Sequence, residues 1–133
     1  MQHIAQIPGY VKPLGPYSHA VAANGFVFIS AQTPLKAGGR AGEFVGATVE
    51  EQTRQVLRNI EAILKELGGS LEDVVRTTVY LANPADFAKM NEAYGAFFPR
   101  DPPARSPARL GTEMPGLLVA IDAIAVLTPT TGA

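Results

Sequence analysis

The chain has 133 residues, the size of one domain built on a single core, and its 13 Gly and 11 Pro are too few for a collagen-like or low-complexity chain. Charged residues make up 17% against 47% hydrophobic, where about 25% charged is usual, so part of the exterior is expected to be covered by another chain. A net charge of −1 without a Lys/Arg run argues against nucleic-acid binding, and the absence of Cys excludes disulfides, thiolate nucleophiles and cysteine-based metal sites.

Residues 1–10 hold neither a basic segment followed by an apolar block nor a cleavage site, and no apolar run approaches the ~18 residues that span a bilayer. A cytoplasmic protein without membrane contact is the expectation. Residues 18–23 and 26–31 are short, apolar and rich in β-formers, separated by Asn24-Gly25, a pair that tolerates the positive φ of a type I′ hairpin turn. Residues 34–46 carry four glycines and no periodicity, and read as an exposed loop. Thr48-Val49-Glu50-Glu51 fits a capping box. Val49, Val56, Leu57, Ile60, Ile63, Leu64 and Leu67 then recur at helical spacing, predicting a helix over 48–67 stopped by Gly68-Gly69. Ser70 to Asp73 has the form of a capped turn, and Val74–Leu81 is β-branched and aromatic, which predicts a strand.

Asn83-Pro84 opens a second helix to about residue 98, with Phe87, Met90, Tyr94 and Phe97 or Phe98 as its buried stripe. Residues 99–103 (PRDPP) can be neither helix nor central strand. Leu117–Leu127 is apolar at almost every position and predicts a strand covered on both faces. Nothing divides the chain, so residues 1–133 are expected to form one α+β domain, a mixed sheet with two helices on one face.

Few residues offer chemistry. His3 and His19 lie in different segments without metal-ligand spacing, and no nucleophile elbow or phosphate loop is present. Arg105, in Pro102-Pro103-Ala104-Arg105-Ser106-Pro107, stands at the entrance to a strand in backbone stiffened by proline. A planar guanidinium there suits bidentate recognition of a carboxylate; a surface arginine after a proline-rich loop is the alternative. Gly15-Pro16-Tyr17-Ser18 either presents a phenol and a hydroxyl from a rigid turn or merely ends a loop. Asn91 follows Met90 on the second helix, where a solvent-facing amide is the ordinary reading.

Seven ordered blocks resemble the Rid family of reactive-intermediate imine deaminases, also called the YjgF family. They are residues 15–18 (GPYS), 28–32 (FISAQ), 55–60 (QVLRNI), 77–81 (TTVYL), 90–94 (MNEAY) followed by Phe97-Phe98, 103–106 (PARS) and 121–125 (IDAIA). The resemblance implies a chorismate-mutase-like α+β fold assembled as a homotrimer with clefts at the subunit boundaries. It implies hydrolysis of small 2-imino or 2-enamino acids to 2-keto acids and ammonia, without cofactor or metal. By position, Arg105 would clamp the substrate carboxylate and act with Tyr17, while Ser30, Ala31, Asn91 and Pro107 would line the cleft.

Three positions depart from the family pattern. Ala31 stands where most members have Gly, Pro107 where Cys is frequent, and Ala120 where the family places the acid that orients or deprotonates the attacking water. An alanine methyl can do neither, so turnover is expected to be weak or differently organised. Asp122 and Glu113 are possible stand-ins, or ordinary paired or solvated carboxylates. A non-catalytic trimer that binds small keto or imino carboxylates is the alternative function. A ribonuclease role, a label some relatives carry, is disfavoured by the absence of a basic patch and a His pair.

Overall fold

Six strands and two helices follow in the order β1 (Gln2–Ile4), β2 (Ala20–Ala23), β3 (Phe26–Gln32), α1 (Val49–Glu66), β4 (Val74–Leu81), α2 (Phe87–Phe97), β5 (Ala104–Arg109) and β6 (Val119–Val126). The computed structural model describes residues 1–4, 13–111 and 114–128. One sheet holds all six strands in the order β1-β2-β3-β6-β4-β5. Every neighbouring pair is antiparallel except β4 and β5, so the α+β class and the mixed sheet are as the sequence predicts.

The hairpin between β2 and β3 turns on Asn24 (φ 52°) and Gly25 (φ 84°), both in the left-handed region, as a type I′ turn requires. Thr48 caps α1, its hydroxyl accepting the Glu51 N–H at 3.2 Å. The Glu51 carboxylate bonds back to that hydroxyl at 3.0 Å, where a full capping box would have it take the Thr48 backbone N–H. At the far end Gly68 N–H donates to Lys65 C=O and Gly69 N–H to Leu64 C=O, with Gly68 at φ 82°. This is the Schellman ending that the glycine pair predicts. Ser70 and Asp73 form the reciprocal capping box that opens the short turn before β4.

The core lies where α1 and α2 cover the sheet. Val56, Leu57, Ile60, Ile63 and Leu64 from α1 and Met90 and Tyr94 from α2 meet Val27, Ile29, Val79, Val119 and Ile121. Within that face α1 also buries polar Gln52, Thr53 and Asn59. Gln52 satisfies three backbone groups: its Nε2 donates to Gly46 and Gly116 carbonyls, and its Oε1 accepts the Leu118 N–H.

Four expectations need correction. The second helix begins with a 3-10 turn over Pro84–Asp86, and α2 proper starts at Phe87. Phe87 is 40% exposed: instead of joining the core it borders a groove with Pro84, Pro107 and Arg109. The last strand is eight residues, not eleven. Its helix side is sealed (Val119, Ile121, Ala123, Ala125), whereas Asp122, Ile124 and Val126 on the other side remain half-buried in the single chain. Residues 34–46 are not a featureless loop: Pro34 is buried, and an antiparallel bridge pairs Leu35 with Phe44.

The face away from the helices is apolar and open. Phe26 and Phe28 are 43% and 45% exposed, their rings stack at 6.0 Å, and they pair in register with Val126 and Ile124.

Candidate active site

Arg105 is placed by the parallel pairing of β5 with β4, which sets it beside Thr77. Its guanidinium carbon lies 4.8 Å from the Tyr94 ring centroid and 5.6 Å from that of Phe87, and Nη1 is 3.9 Å from the Met90 sulfur. Aromatic faces hold a guanidinium without neutralising it. Among the described residues the ion pair is Lys36–Glu43, so no carboxylate among them satisfies Arg105. Tyr94 is itself fixed by a 2.7 Å hydrogen bond with the Thr77 hydroxyl. Burial pushes its phenol above the usual range, partly offset by Thr77 and by the Arg105 charge, so it stays neutral beside the arginine.

Asn91 opens into the same cleft, together with Tyr94, Gly95, Phe98, Pro102 and Pro103. It does not face solvent as the helix pattern led us to expect: it is half-buried, and its Oδ1 is buried without a hydrogen-bond partner. An orphaned acceptor beside an unpaired guanidinium is a place for a ligand carrying both an anionic group and a donor.

Tyr17, Ser30 and Ala31 assemble elsewhere, in a depression on the open face shared with Arg76, Thr78 and Asp122. Tyr17 is half exposed, its hydroxyl accepting the Leu14 N–H at 3.4 Å. Ser30 Oγ donates to Ser18 C=O at 2.7 Å. Asp122 has both oxygens engaged, Oδ1 by the Thr78 N–H at 3.0 Å and Oδ2 by the Tyr80 hydroxyl at 2.8 Å. The bond to Asp122, followed by burial and the carboxylate charge, raises the Tyr80 phenol above its ordinary value. Ala120 is 3% exposed, opposite Tyr80 in the ladder, and lines neither depression. Pro107 faces a separate groove with Phe87 and Arg109. Glu113 lies outside the described residues.

One chain therefore holds two separate groups of the residues singled out from sequence. β3 and β5 are separated by β6 and β4, three strand spacings or about 14 Å, and Arg105 projects to the helix side whereas the Tyr17–Ser30 depression opens on the other. Thr77, Phe87 and Met90, which seat Arg105, were not singled out as site residues. The signal was available in Thr77 and Arg105 only to a reader who knew that β4 and β5 pair. Among the described residues no cluster of His, Asp and Glu could hold a metal ion, and no helix is long and apolar enough to cross a membrane.

A family model described as Endoribonuclease L-PSP matches residues 9–127. The chain belongs to the Rid family. A RutC family protein of Pyrococcus horikoshii is 46% identical to it over 114 residues, covering 86% of this chain and 89% of that protein. Reactive Intermediate Deaminase A, chloroplastic, of Arabidopsis thaliana is 43% identical over 114 residues, covering 86% of this chain and 60% of the plant protein. Among solved structures, TdcF of E. coli with bound serine superposes with a TM-score of 0.82 at 30% identity, covering 96% of this chain and 100% of that one. The six-stranded sheet with two helices is thus the Rid fold, and the Rid blocks read from sequence fall on β3, α1, β4, α2, β5 and β6, with the GPYS block just before β2.

Proposed function

We propose that this Rid protein is an imine/enamine deaminase that hydrolyses small 2-imino acids to 2-keto acids and ammonia at clefts between the subunits of a homotrimer. The observation that carries the reading is the Arg105–Asn91 cleft, in which a guanidinium without a carboxylate partner lies beside an unpartnered amide oxygen. Its counterpart, Tyr17 with Ser30 and Ala31, lies too far away to act on the same ligand within one chain. A second copy brings the two together. The name of the Arabidopsis relative supports deamination, and the serine bound in the E. coli structure supports a small carboxylate as ligand.

In this reading the Arg105 fork binds the substrate carboxylate through two parallel hydrogen bonds, and Asn91 Oδ1 accepts the imine N–H. Water adds to the imine carbon, its protons pass to nitrogen, and the tetrahedral carbinolamine expels ammonia to leave the keto acid. Tyr17, Ser30 and the backbone about Ala31 and Pro107 hold the water and the developing oxygen. Holding the reactants in line supplies most of the acceleration, since an imine is intrinsically reactive. The test is ammonia release from imines generated by an amino-acid oxidase: Arg105→Ala should fall to the uncatalysed rate, and a wild type that matches that rate would end the reading.

A second reading, a binder of small keto or imino carboxylates without turnover, is favoured by Ala120 and by the full commitment of Asp122. Ala120→Glu separates the two. A gain of about 10² or more in hydrolysis supports the deaminase cleft, and no gain together with saturable binding of 2-oxobutyrate supports the binder. RNA cleavage that survives Arg105→Ala and repurification would point to a ribonuclease instead.

A further inference from the structure

The Tyr17–Ala31 pair borders a second cavity, of about 100 Å³, walled on one part by Leu14, Leu35, Phe44 and Met114. The wall is held firmly. Leu35 and Phe44 face each other across the antiparallel bridge, closed on either side by Lys36 N–H to Glu43 C=O at 3.0 Å and Val45 N–H to Pro34 C=O at 2.8 Å. From behind, the buried Asn59 of α1 donates to the carbonyls of Leu35 at 3.0 Å and Thr33 at 3.1 Å, and Gln55 reaches Leu35 C=O at 3.4 Å. Two polar positions of α1, Gln55 and Asn59, thus fix one loop, as Gln52 on the same helix fixes the segments at Gly46, Gly116 and Leu118. Such an investment is not needed for a loop that merely connects β3 to α1.

The cavity has polar members too, Tyr17, His19, Gln32 and Thr33, but the Gln32 amide nitrogen is engaged by Ser30 C=O at 2.9 Å. No Asp, Glu, Lys or Arg lines it among the described residues. An enclosed apolar cavity of about 150 Å³ accepts a benzene ring; at about 100 Å³, with its apolar wall on one part only, this partly open cavity has room for a side chain of about four carbons.

We infer that Leu35 and Phe44 are specificity-determining residues: they form the wall of a subsite for the side chain of the 2-imino acid, selecting aliphatic chains of about four carbons over a methyl group and over acidic chains. The inference rests on the deaminase reading of the Tyr17–Ala31 half-site and adds the substrate class to it. A hydrophobic pocket gains about tenfold or more for each well-placed methylene, and a carboxylate side chain would be desolvated against the Leu14–Leu35–Phe44–Met114 wall, with no Lys or Arg lining the cavity among the described residues.

The experiment compares imines generated from leucine, alanine and glutamate, and the binding of 4-methyl-2-oxopentanoate and pyruvate by calorimetry. The wild type is expected to process the leucine-derived imine with kcat/KM at least about tenfold above that of the other two. Leu35→Phe and Phe44→Trp, which fill the cavity from its two sides, should each lower the leucine-to-alanine ratio at least about tenfold. Equal rates for leucine and alanine, or a ratio that neither variant moves while both keep the wild-type oligomer and melting temperature, would overturn the wall but leave the deaminase reading standing. Branched keto acid bound at least about tenfold tighter than pyruvate without turnover would sustain the wall and remove the deaminase. No turnover and no binding would remove both.

Discussion

Arg105 illustrates how a charge is kept ready for a ligand. Its guanidinium lies near the rings of Tyr94 and Phe87, contacts that orient it without neutralising its charge. Lysine cannot replicate the planar fork, so Arg105→Lys is expected to raise KM for 2-imino acids by at least about tenfold while keeping the fold, as read by steady-state kinetics and circular dichroism. Asp122 is the opposite case, an acid fully employed in holding β6 to β4 through Thr78 and Tyr80. Asn at this position can accept one of those donors but turns an N–H₂ toward the other. Asp122→Asn should therefore cost about 1–3 kcal/mol of stability by urea titration. The tyrosines set the alkaline limit. Tyr80 and Tyr94 both have folded-state values above the ordinary 10.0. Their neutral forms thus contribute stability that is complete below about pH 10 and is lost as pH rises through the folded values. Urea midpoints should fall above about pH 10, and Tyr80→Phe should flatten that fall.

The elements divide into those whose signals are local and those whose signals are not. The Asn24-Gly25 turn, the ends of α1 and the strand Val74–Leu81 lie where the sequence puts them, because each depends on φ preference, capping groups or β-branching within a few residues. Gln52 and Thr53 sit at helical spacing from Val49 and Val56, within the apolar stripe, and Asn59 at its edge, but their polarity argues against burial. Thr53 bonds within its own helix to Val49 C=O, whereas Gln52 and Asn59 also bond to partners 24 to 66 residues away, where no local signal records them. Asn91 is a similar case: the ordinary reading of a helix amide is solvent-facing, whereas it opens on Arg105, Pro102 and Pro103 beside Tyr94 and Gly95 of its own helix. Gln52→Ala would leave one N–H and two carbonyls unpaired in the interior and is expected to cost about 3 kcal/mol. Glu61→Ala, exposed on the same helix, should stay within about 0.5 kcal/mol, a contrast readable from the two melting temperatures.

At the scale of the whole molecule, the low charge content is localised. The open face of the sheet bears Phe26, Phe28, Ile124 and Val126, with the two phenylalanine rings more than two-fifths exposed, and an apolar face of this kind is ordinarily covered. The proposed trimer covers it and joins the two half-sites in one step. Sedimentation should therefore give a trimer of the 14.0 kDa chain. Phe28→Asp should shift it to monomer and abolish hydrolysis together with keto-acid binding, although Arg105 and Asn91 are untouched. A monomer that remained fully active would refute the shared cleft.

The amino-acid sequence by itself determined the class of fold, the limits of α1, the hairpin turn and, through ordered motifs, the Rid family. Those properties follow from backbone preference, from periodic burial and from the family blocks themselves. Tertiary structure alone decided that Arg105 stands on one side of the sheet and Ser30 on the other, that Asp122 is spent on Thr78 and Tyr80, and that Leu35 and Phe44 wall a cavity. Those relations arise from pairing between strands and segments far apart in the chain, and residue type carries no record of which distant backbone will lie beside it.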